Sequence, residues 1–110
     1  MRIHDFLNKQ ILVTRDSAQQ LRPLVERQIG PDVQALGLDF VGIEGLTPSF
    51  MDELLGVILE TLEGHRNLDF QIIVTNPPAR LSSKFTAIGR GRGLSIEETE
   101  KDSWSIRRVA

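Results

Sequence analysis

The side chains best suited to chemistry lie within residues 39–56, which read DFVGIEGLTPSFMDELLG. A buried strand is predicted to lead into an exposed loop, after which Thr47, Ser49, Asp52 and Glu53 stand at the start of an amphipathic helix. Hydroxyl and carboxylate groups in this position form a compact surface that another molecule can reach. The same residue types also make a well-capped helix with no further role, so both interpretations stay open.

Phosphorylation is one reaction that this helix start could accept, and its candidate acceptors are Ser49 and Thr47. A phosphate on Ser49 would interact favourably with the positive end of the helix macrodipole. It would also add a charge of about −1.5 to −2 beside Asp52 and Glu53, which are themselves negative. Because these two effects oppose each other, the sequence does not set the direction of any switch.

The sequence offers no recognisable constellation of catalytic or metal-binding side chains. Asp52 and Glu53 are adjacent, so on a helix their side chains point about 100° apart and make a poor catalytic pair. His4 and His65 have no second ligand at the spacing of a zinc site, and each is predicted to be a surface residue with a structural role. Cysteine is absent, which excludes thiolate metal sites and cysteine nucleophiles. We therefore expect a protein that is not an enzyme and that binds neither a metal nor a cofactor.

Residues 89–93 read GRGRG and are a second candidate binding segment. Glycines expose backbone N–H groups and Arg90 and Arg92 supply positive charge, so the segment could approach an anion. It matches neither the phosphate-loop nor the dinucleotide pattern, because it follows a predicted helix and does not connect a strand to a helix. The alternative function is therefore a domain that binds a small anionic ligand or nucleotide, using these arginines with the helix starts predicted at Thr47 and Asn76.

Length, composition and charge fit one globular domain. The chain has 110 residues, of which 40% are hydrophobic and 25% are charged. Its net charge is −2, but residues 31–75 contain eight acidic side chains and one basic one. A surface built from that segment would attract a basic partner and repel nucleic acid.

The apolar run at residues 54–59 is far shorter than the roughly 20 residues that span a bilayer, and residues 1–6 do not resemble a signal peptide. We expect a cytoplasmic protein without a nucleic-acid or membrane partner.

The elements that position residues 39–56 are predicted from hydrophobic spacing and capping residues. In chain order they are two strands of an N-terminal hairpin (residues 1–6 and 10–14), a helix capped by Ser17, a central strand within residues 33–43, a helix capped by Thr47, a strand at residues 70–75 and a helix carrying Leu81, Phe85 and Ile88. Pro23 predicts a kink or a late start for the first helix. This ββαβαβα order predicts an α/β fold, a small mixed sheet of about four strands with helices packed on it. The domain is expected to span residues 1–93, and residues 94–110 to form an extension that either packs on it or is mobile.

Roughly residues 10–90 resemble the STAS-like domains of unassigned function found in bacteria, which are relatives of the anti-sigma-factor antagonists. The resemblance rests on the LDF strand, the TPSFMDELLG helix start and the VTNPP strand end, and residues 49–54 are its most specific part. It implies a STAS-like fold that docks onto another protein through this loop and helix start. In the related antagonists the partner is an ATPase of the histidine-kinase fold, which phosphorylates a serine at the equivalent helix start.

The chain departs from the antagonists at the phosphorylated position. Matching Leu55 and Gly56 to the leucine-glycine pair of those proteins places Glu53 where the acceptor serine would lie and Asp52 beside it. Glutamate does not accept a phosphoryl group in that role, so the resemblance does not carry the phosphorylation switch to this position. Glu53 resembles a permanently charged mimic, with less charge and fewer acceptor oxygens than a phosphate.

The combined expectation is a non-enzymatic regulatory module that docks a protein partner through residues 45–56. The resemblance implies that this partner is an ATPase of the histidine-kinase type, and association with further copies of the chain stays open. The residues expected to meet the partner are three polar ones and one of two apolar anchors: Ser49, Asp52 and Glu53, with Phe50 or Met51.

Overall fold

The computed structural model describes residues 1–8, 11–30, 32–65, 70–77 and 82–109, with the side chains of residues 82–85 excepted. Within these residues the helices are α1 (Ile3–Leu7), α2 (Arg15–Gln19), α3 (Arg22–Gln28), α4 (Pro48–Gly64) and α5 (Ser82–Gly91). The strands are β1 (Ile11–Leu12), β2 (Ala35–Asp39), β3 (Gly45–Leu46), β4 (Gln71–Thr75), β5 (Leu94–Glu100) and β6 (Ser103–Arg108). None of the described helices combines the length and the apolar character needed to cross a membrane.

The strands form a four-stranded mixed sheet and a separate two-stranded ribbon. In the larger sheet the order is β2-β4-β6-β5, with β2 and β4 parallel and the other pairs antiparallel. The ribbon pairs β1 with β3 in parallel, so that Ile11 faces Gly45 and Leu12 faces Leu46. This arrangement confirms the predicted α/β class with a small mixed sheet and helices packed on it.

The hydrophobic core lies between one face of the sheet and the helices. Alternate residues of the strands are buried there, because successive side chains of a strand point to opposite faces. The buried apolar residues of the four-stranded sheet are Leu36, Leu38, Ile72, Val74, Leu94, Trp104 and Ile106. From α4, the longest helix, the buried residues are Phe50, Met51, Leu54, Leu55, Val57, Ile58 and Leu62. This buried face of α4 covers the sheet, as expected of the amphipathic helix predicted to begin at Thr47.

The predicted N-terminal hairpin is wrong. Ile3 and Leu7 are both buried and stand four residues apart, which is the spacing of one helix face, and they belong to α1. Asn8 ends this helix in a left-handed conformation with φ of 52°. The first strand, β1, then pairs in parallel with β3 and not with the preceding segment. Residues 9 and 10, within the predicted turn and second strand, lie outside the described residues.

The first predicted helix is divided into α2 and α3. Its N-cap is Thr14 and not Ser17, because the Thr14 Oγ1 accepts a hydrogen bond of 3.1 Å from the Ser17 backbone N–H. Pro23 lies in the first turn of α3, where its missing N–H is not needed. Of the two outcomes predicted from this proline, the structure has the late helix start.

The strand predicted to be central, β2, lies at the edge of the sheet. Leu36 and Leu38 are buried while Gly37 between them is exposed, so β2 has one buried face. Beyond the free edge of β2 lies Met1, whose amino group donates to the Gly37 carbonyl at 3.0 Å and whose carbonyl accepts from the Asp39 N–H at 2.8 Å. The N-terminal residues therefore satisfy part of the β2 backbone.

Residues 94–110, expected to be an extension, contribute two of the four strands of the sheet. Strand β6 lies inside the sheet, between β4 and β5, and buries Trp104 and Ile106 in the core. A domain boundary at residue 93 would divide this core. The helix before this hairpin, α5, continues through Gly89 to Gly91, and Leu81 and the side chain of Phe85 lie outside the description.

Candidate functional site

The start of α4 is fixed by Thr47. As predicted, this residue is the N-cap: its Oγ1 accepts from the Phe50 backbone N–H at 3.2 Å, and Pro48 follows in the first turn. The same hydroxyl donates to the Val13 carbonyl at 2.6 Å, so it ties α4 to the segment after β1. Of the two candidate phosphate acceptors, Thr47 has its hydroxyl engaged in these two bonds, whereas Ser49 is exposed.

The expected apolar anchors are parts of the core. Phe50 is 0% exposed and Met51 is 2% exposed, so neither reaches a partner at the surface. Both belong to the buried stripe of α4, together with Leu54 and Ile58, because residues three and four apart share a helix face. The anchor role predicted for Phe50 or Met51 is therefore wrong.

Asp52 and Glu53 lie in the second turn of α4, since its first turn contains no acidic residue. Arg15 of α2 bridges them, since its Nη1 donates to Asp52 Oδ2 at 2.8 Å and to Glu53 Oε2 at 3.3 Å. Each remaining carboxylate oxygen has its own donor: Arg92 Nε donates to Asp52 Oδ1 at 2.9 Å, and Gln19 Nε2 donates to Glu53 Oε1 at 2.7 Å. All four oxygens are thus bound by side chains from α2 and from the turn after α5.

These contacts hold both acids in the charged form. The hydrogen bonds from Arg92 and Arg15 lower the pKa of Asp52 to about 2. The hydrogen bond from Gln19, followed by that from Arg15, lowers the pKa of Glu53. The same contacts raise the pKa of Arg15 and Arg92. The cluster of Arg15, Asp52, Glu53 and Arg92 has no net charge, because it contains two positive and two negative groups.

Gly56 allows Arg92 to lie against α4. A Cβ atom at this position would stand 3.0 Å from Arg92 Nη1 and 3.3 Å from its Cζ, closer than most real contacts of that atom. The guanidinium therefore occupies the space that a side chain would fill. This contact, together with the bond to Asp52, fastens the turn between α5 and β5 to α4.

The alternative anion site was predicted from Arg90, Arg92 and the helix starts at Thr47 and Asn76. Arg92 is engaged with Asp52, and Arg90 is exposed on α5. Asn76 has a left-handed backbone with φ of 53° and donates from Nδ2 to Asp39 Oδ1 at 3.1 Å. The helix start predicted to follow Asn76 falls partly on residues 78–81, which lie outside the described residues.

The two histidines have local structural contacts. His65 is buried and not on the surface as predicted, and its ring stacks on Phe70 with centroids 4.1 Å apart and an angle of 14° between the planes. His4 lies on α1 and not in a strand, against Gly42. In the described parts of the chain, no three or more histidine, cysteine, aspartate or glutamate side chains are grouped to hold a metal ion.

Sequence reasoning missed an exposed apolar pair beside the start of α4. Ile11 is 58% exposed and Val13 is 51% exposed, while Leu12 between them is buried. This alternation was visible in the predicted strand, because a strand with one buried face exposes every second residue. Thr47 binds the Val13 carbonyl, so this pair borders the α4 start. Sequence reasoning also missed Arg15, for which no local signal existed.

The comparison with protein families decides what kind of domain carries this site. The family model of the STAS-like domain of unknown function (DUF4325) matches residues 17–78, more than half of the chain. The chain belongs to this family. This match confirms the resemblance to STAS-like domains of unassigned function. No curated protein and no solved structure matches the chain. In this STAS-like domain Asp52 and Glu53 lie inside the matched segment, whereas Arg15 and Arg92 lie on either side of it.

Lowering the pH should lower the free energy of unfolding of this STAS-like domain as Asp52 becomes protonated. Its pKa is about 2 when folded, against an ordinary value of 3.8, so its stabilisation is complete above about pH 4 and is lost as the pH falls towards 2. Because the side chain is 32% exposed, solvent screening reduces the expected loss to about 1 kcal/mol.

Urea unfolding at about pH 5 and about pH 2.5 measures this loss. Asp52→Asn should lose less stability between the two pH values than the unsubstituted domain. Asp16→Asn is the control, because Asp16 is an exposed aspartate of α2 and has no part in the cluster. This variant should lose as much stability between the two pH values as the unsubstituted domain. Equal losses in all three proteins would contradict the role given to Asp52.

Proposed function

We propose that this STAS-like domain is a non-enzymatic regulatory module that docks a protein partner through the start of α4 and the adjoining β1 segment. The observation that carries the proposal is the exposure of Ile11 and Val13 beside an exposed helix start. We call this region the docking surface and define it by Ile11, Val13, Arg15, Pro48 and Ser49. It includes Pro48 and Ser49 from the predicted region at residues 45–56, and Ile11 and Val13 take the place of the apolar anchors expected at Phe50 or Met51.

The apolar part of the docking surface has the character of an interface centre. Ile11 and Val13 stand two residues apart in an extended segment, so their side chains point to the same side. Both are more than half exposed. The charged Arg15 follows two residues after Val13, and the polar Ser49 follows two residues after Thr47, whose hydroxyl donates to the Val13 carbonyl. A small apolar centre with a polar rim is the common composition of protein–protein interfaces.

The polar part of the docking surface is held in one arrangement before a partner arrives. Asp52 and Glu53 bind Arg15 from the α4 side, so they position this arginine and are themselves largely occupied. The Arg15 side chain remains 52% exposed. Because a pre-positioned side chain loses little freedom on binding, the cluster would lower the entropic cost of association. Ser49, exposed on the same helix start, would add a hydrogen-bonding hydroxyl.

The first candidate partner is an ATPase of the histidine-kinase type. This choice rests on the resemblance to the anti-sigma-factor antagonists, whose partners are of that kind. Under this proposal the STAS-like domain acts by binding and carries out no reaction itself. An ATPase of this type encoded next to the gene for the chain would be the protein to test.

A titration of that ATPase with matched variants of the domain tests the proposal. Val13→Asp places a charge in the docking surface and should weaken binding about tenfold or more, which corresponds to about 1.4 kcal/mol. The matched control is Val109→Asp, because Val109 is also an exposed valine, at 61%, and follows β6 directly. Its affinity should stay unchanged. Equal affinities of the two variants would refute the docking surface, and no binding by the unsubstituted domain would refute the partner class.

A further inference from the structure

A cavity of about 350 Å³ lies between α3 and the C-terminal half of α4. Among the residues that the structure describes, α3 and α4 supply most of its lining. The lining residues are Arg22, Glu26, Ile29, Glu60, Thr61, Gly64 and His65. The cavity is at the opposite end of α4 from the docking surface, because the 17 residues of this helix span about 25 Å. A volume of this size falls in the lower range of small-molecule sites.

The charged groups of the cavity leave one carboxylate in excess. Arg22 donates from Nη1 to Glu60 and from Nε to the Gln19 Oε1, the latter at 2.9 Å, and its charge also attracts Glu26. Glu26 stands one turn after Arg22 on α3 and is exposed at the rim. The described lining therefore carries two negative side chains and one positive side chain. Such a rim attracts a cation and repels an anion.

The remaining lining offers apolar surface and free space. Ile29 is partly buried and packs against the core. The imidazole of His65 is held in place by its stacking on Phe70 and lies with Nε2 3.3 Å from the Gly30 carbonyl oxygen. Among the residues that the structure describes, a Cβ atom at Gly64 would meet nothing within 4 Å, so these residues leave the wall open at this point. The apolar part of a small ligand, a few carbon atoms in size, could therefore contact Ile29 without displacing packed side chains.

We propose that this cavity binds a small organic cation, an amine or amidine carried on a compact apolar body. The cationic group would pair with Glu26 at the rim, and the apolar body would lie against Ile29 and the open wall at Gly64. The site uses none of the residues of the docking surface. Ligand binding in the cavity can therefore be tested independently of the proposed partner binding.

Three probes of one shape test the charge preference. Benzylamine, benzyl alcohol and benzoate differ mainly in being positive, neutral and negative at neutral pH, and their binding can be followed by amide shifts of Ile29, Thr61 and Gly64 in NMR titrations. Benzylamine should bind about three- to fivefold more tightly than benzyl alcohol, the ratio of a partly exposed ion pair, and benzoate should bind most weakly. Equal binding of benzylamine and benzoate would overturn the proposal.

Two variants and a control test the location. Gly64→Leu fills the open wall and should abolish the benzylamine shifts, and Glu26→Gln should weaken benzylamine binding to the level of benzyl alcohol. Glu63→Gln removes an exposed carboxylate one residue from Gly64 that does not line the cavity, and its affinity for benzylamine should not change. Circular dichroism of each variant is the check that it is folded. Unchanged benzylamine binding in both Gly64→Leu and Glu26→Gln, or an equal loss in Glu63→Gln and Glu26→Gln, would overturn the proposal.

Discussion

Phe50→Ala is expected to lower the free energy of unfolding by about 3–5 kcal/mol. Phe50 is fully buried, and its ring is among the largest side chains of the core between α4 and the sheet. Removing the ring forfeits its burial and leaves a cavity that the surrounding side chains fill only in part. Since domains of this size have about 5–15 kcal/mol of stability in total, the variant should lose a large fraction of its free energy of unfolding.

Urea unfolding followed by circular dichroism measures this effect. Ser49→Ala is the matched control, because Ser49 is the neighbouring residue and is exposed on the outer face of α4. Its stability should stay within about 0.5 kcal/mol of the unsubstituted domain. If Phe50→Ala kept full stability and lost only partner binding, Phe50 would be a surface anchor and its place in the core would be wrong.

A chain that ends after Gly93 should not fold. The cut removes β5 and β6, and with them Trp104 and Ile106 from the core. Strand β4 would lose its antiparallel neighbour and would expose a row of unpaired backbone groups, while α4 would lose its contacts with β6 and α5 its contacts with β5. The expected result is loss of cooperative thermal unfolding, with the truncated chain aggregating or remaining disordered.

Ile106→Ala tests the contribution of β6 to the core with a smaller change, made in the complete chain. Ile106 is fully buried on β6, so this substitution should cost about 2–5 kcal/mol while leaving the unfolding cooperative. Thermal unfolding of both proteins by circular dichroism and calorimetry provides the comparison. A truncated chain that unfolded cooperatively would show that residues 1–93 are a complete domain, as the sequence had suggested.

The parts of the fold that depend on neighbouring residues were predictable. Thr47 caps α4 and Pro48 follows it because both act within one turn of the chain. The spacing of Leu54, Ile58 and Leu62 likewise predicted the buried side of α4. The same spacing places Phe50 on that buried side, where the structure has it. The anchor role expected for Phe50 was inconsistent with this spacing.

Short elements were not predictable in the same way. Ile3 and Leu7 suit a helix face, but residues 1–6 are too few to separate a helical period from a strand. The position of β2 at the sheet edge also depends on where residues 103–108 pair, more than 60 residues later. Such pairing is decided by the packing of the whole domain and leaves no mark in the local sequence.

The cluster at the α4 start depends on contacts across the chain. Asp52 binds Arg15, 37 residues before it, and Arg92, 40 residues after it. The chain has 13 lysines and arginines, so the sequence contains many equivalent partners for one aspartate. Predicting Asp52 as part of the site was possible from its place on the helix. Predicting that its oxygens are occupied required the fold.

Gly56 gives this cluster an adjustable component. The Arg92 guanidinium rests on the α4 backbone only because no side chain intervenes, and one added methyl group would have to displace it by a few tenths of an ångström. The bond from Arg92 to Asp52 would lengthen or turn accordingly. A larger side chain at position 56 would therefore weaken the attachment of the turn before β5 to α4. The attachment would be tightest with glycine and weakest with a branched residue.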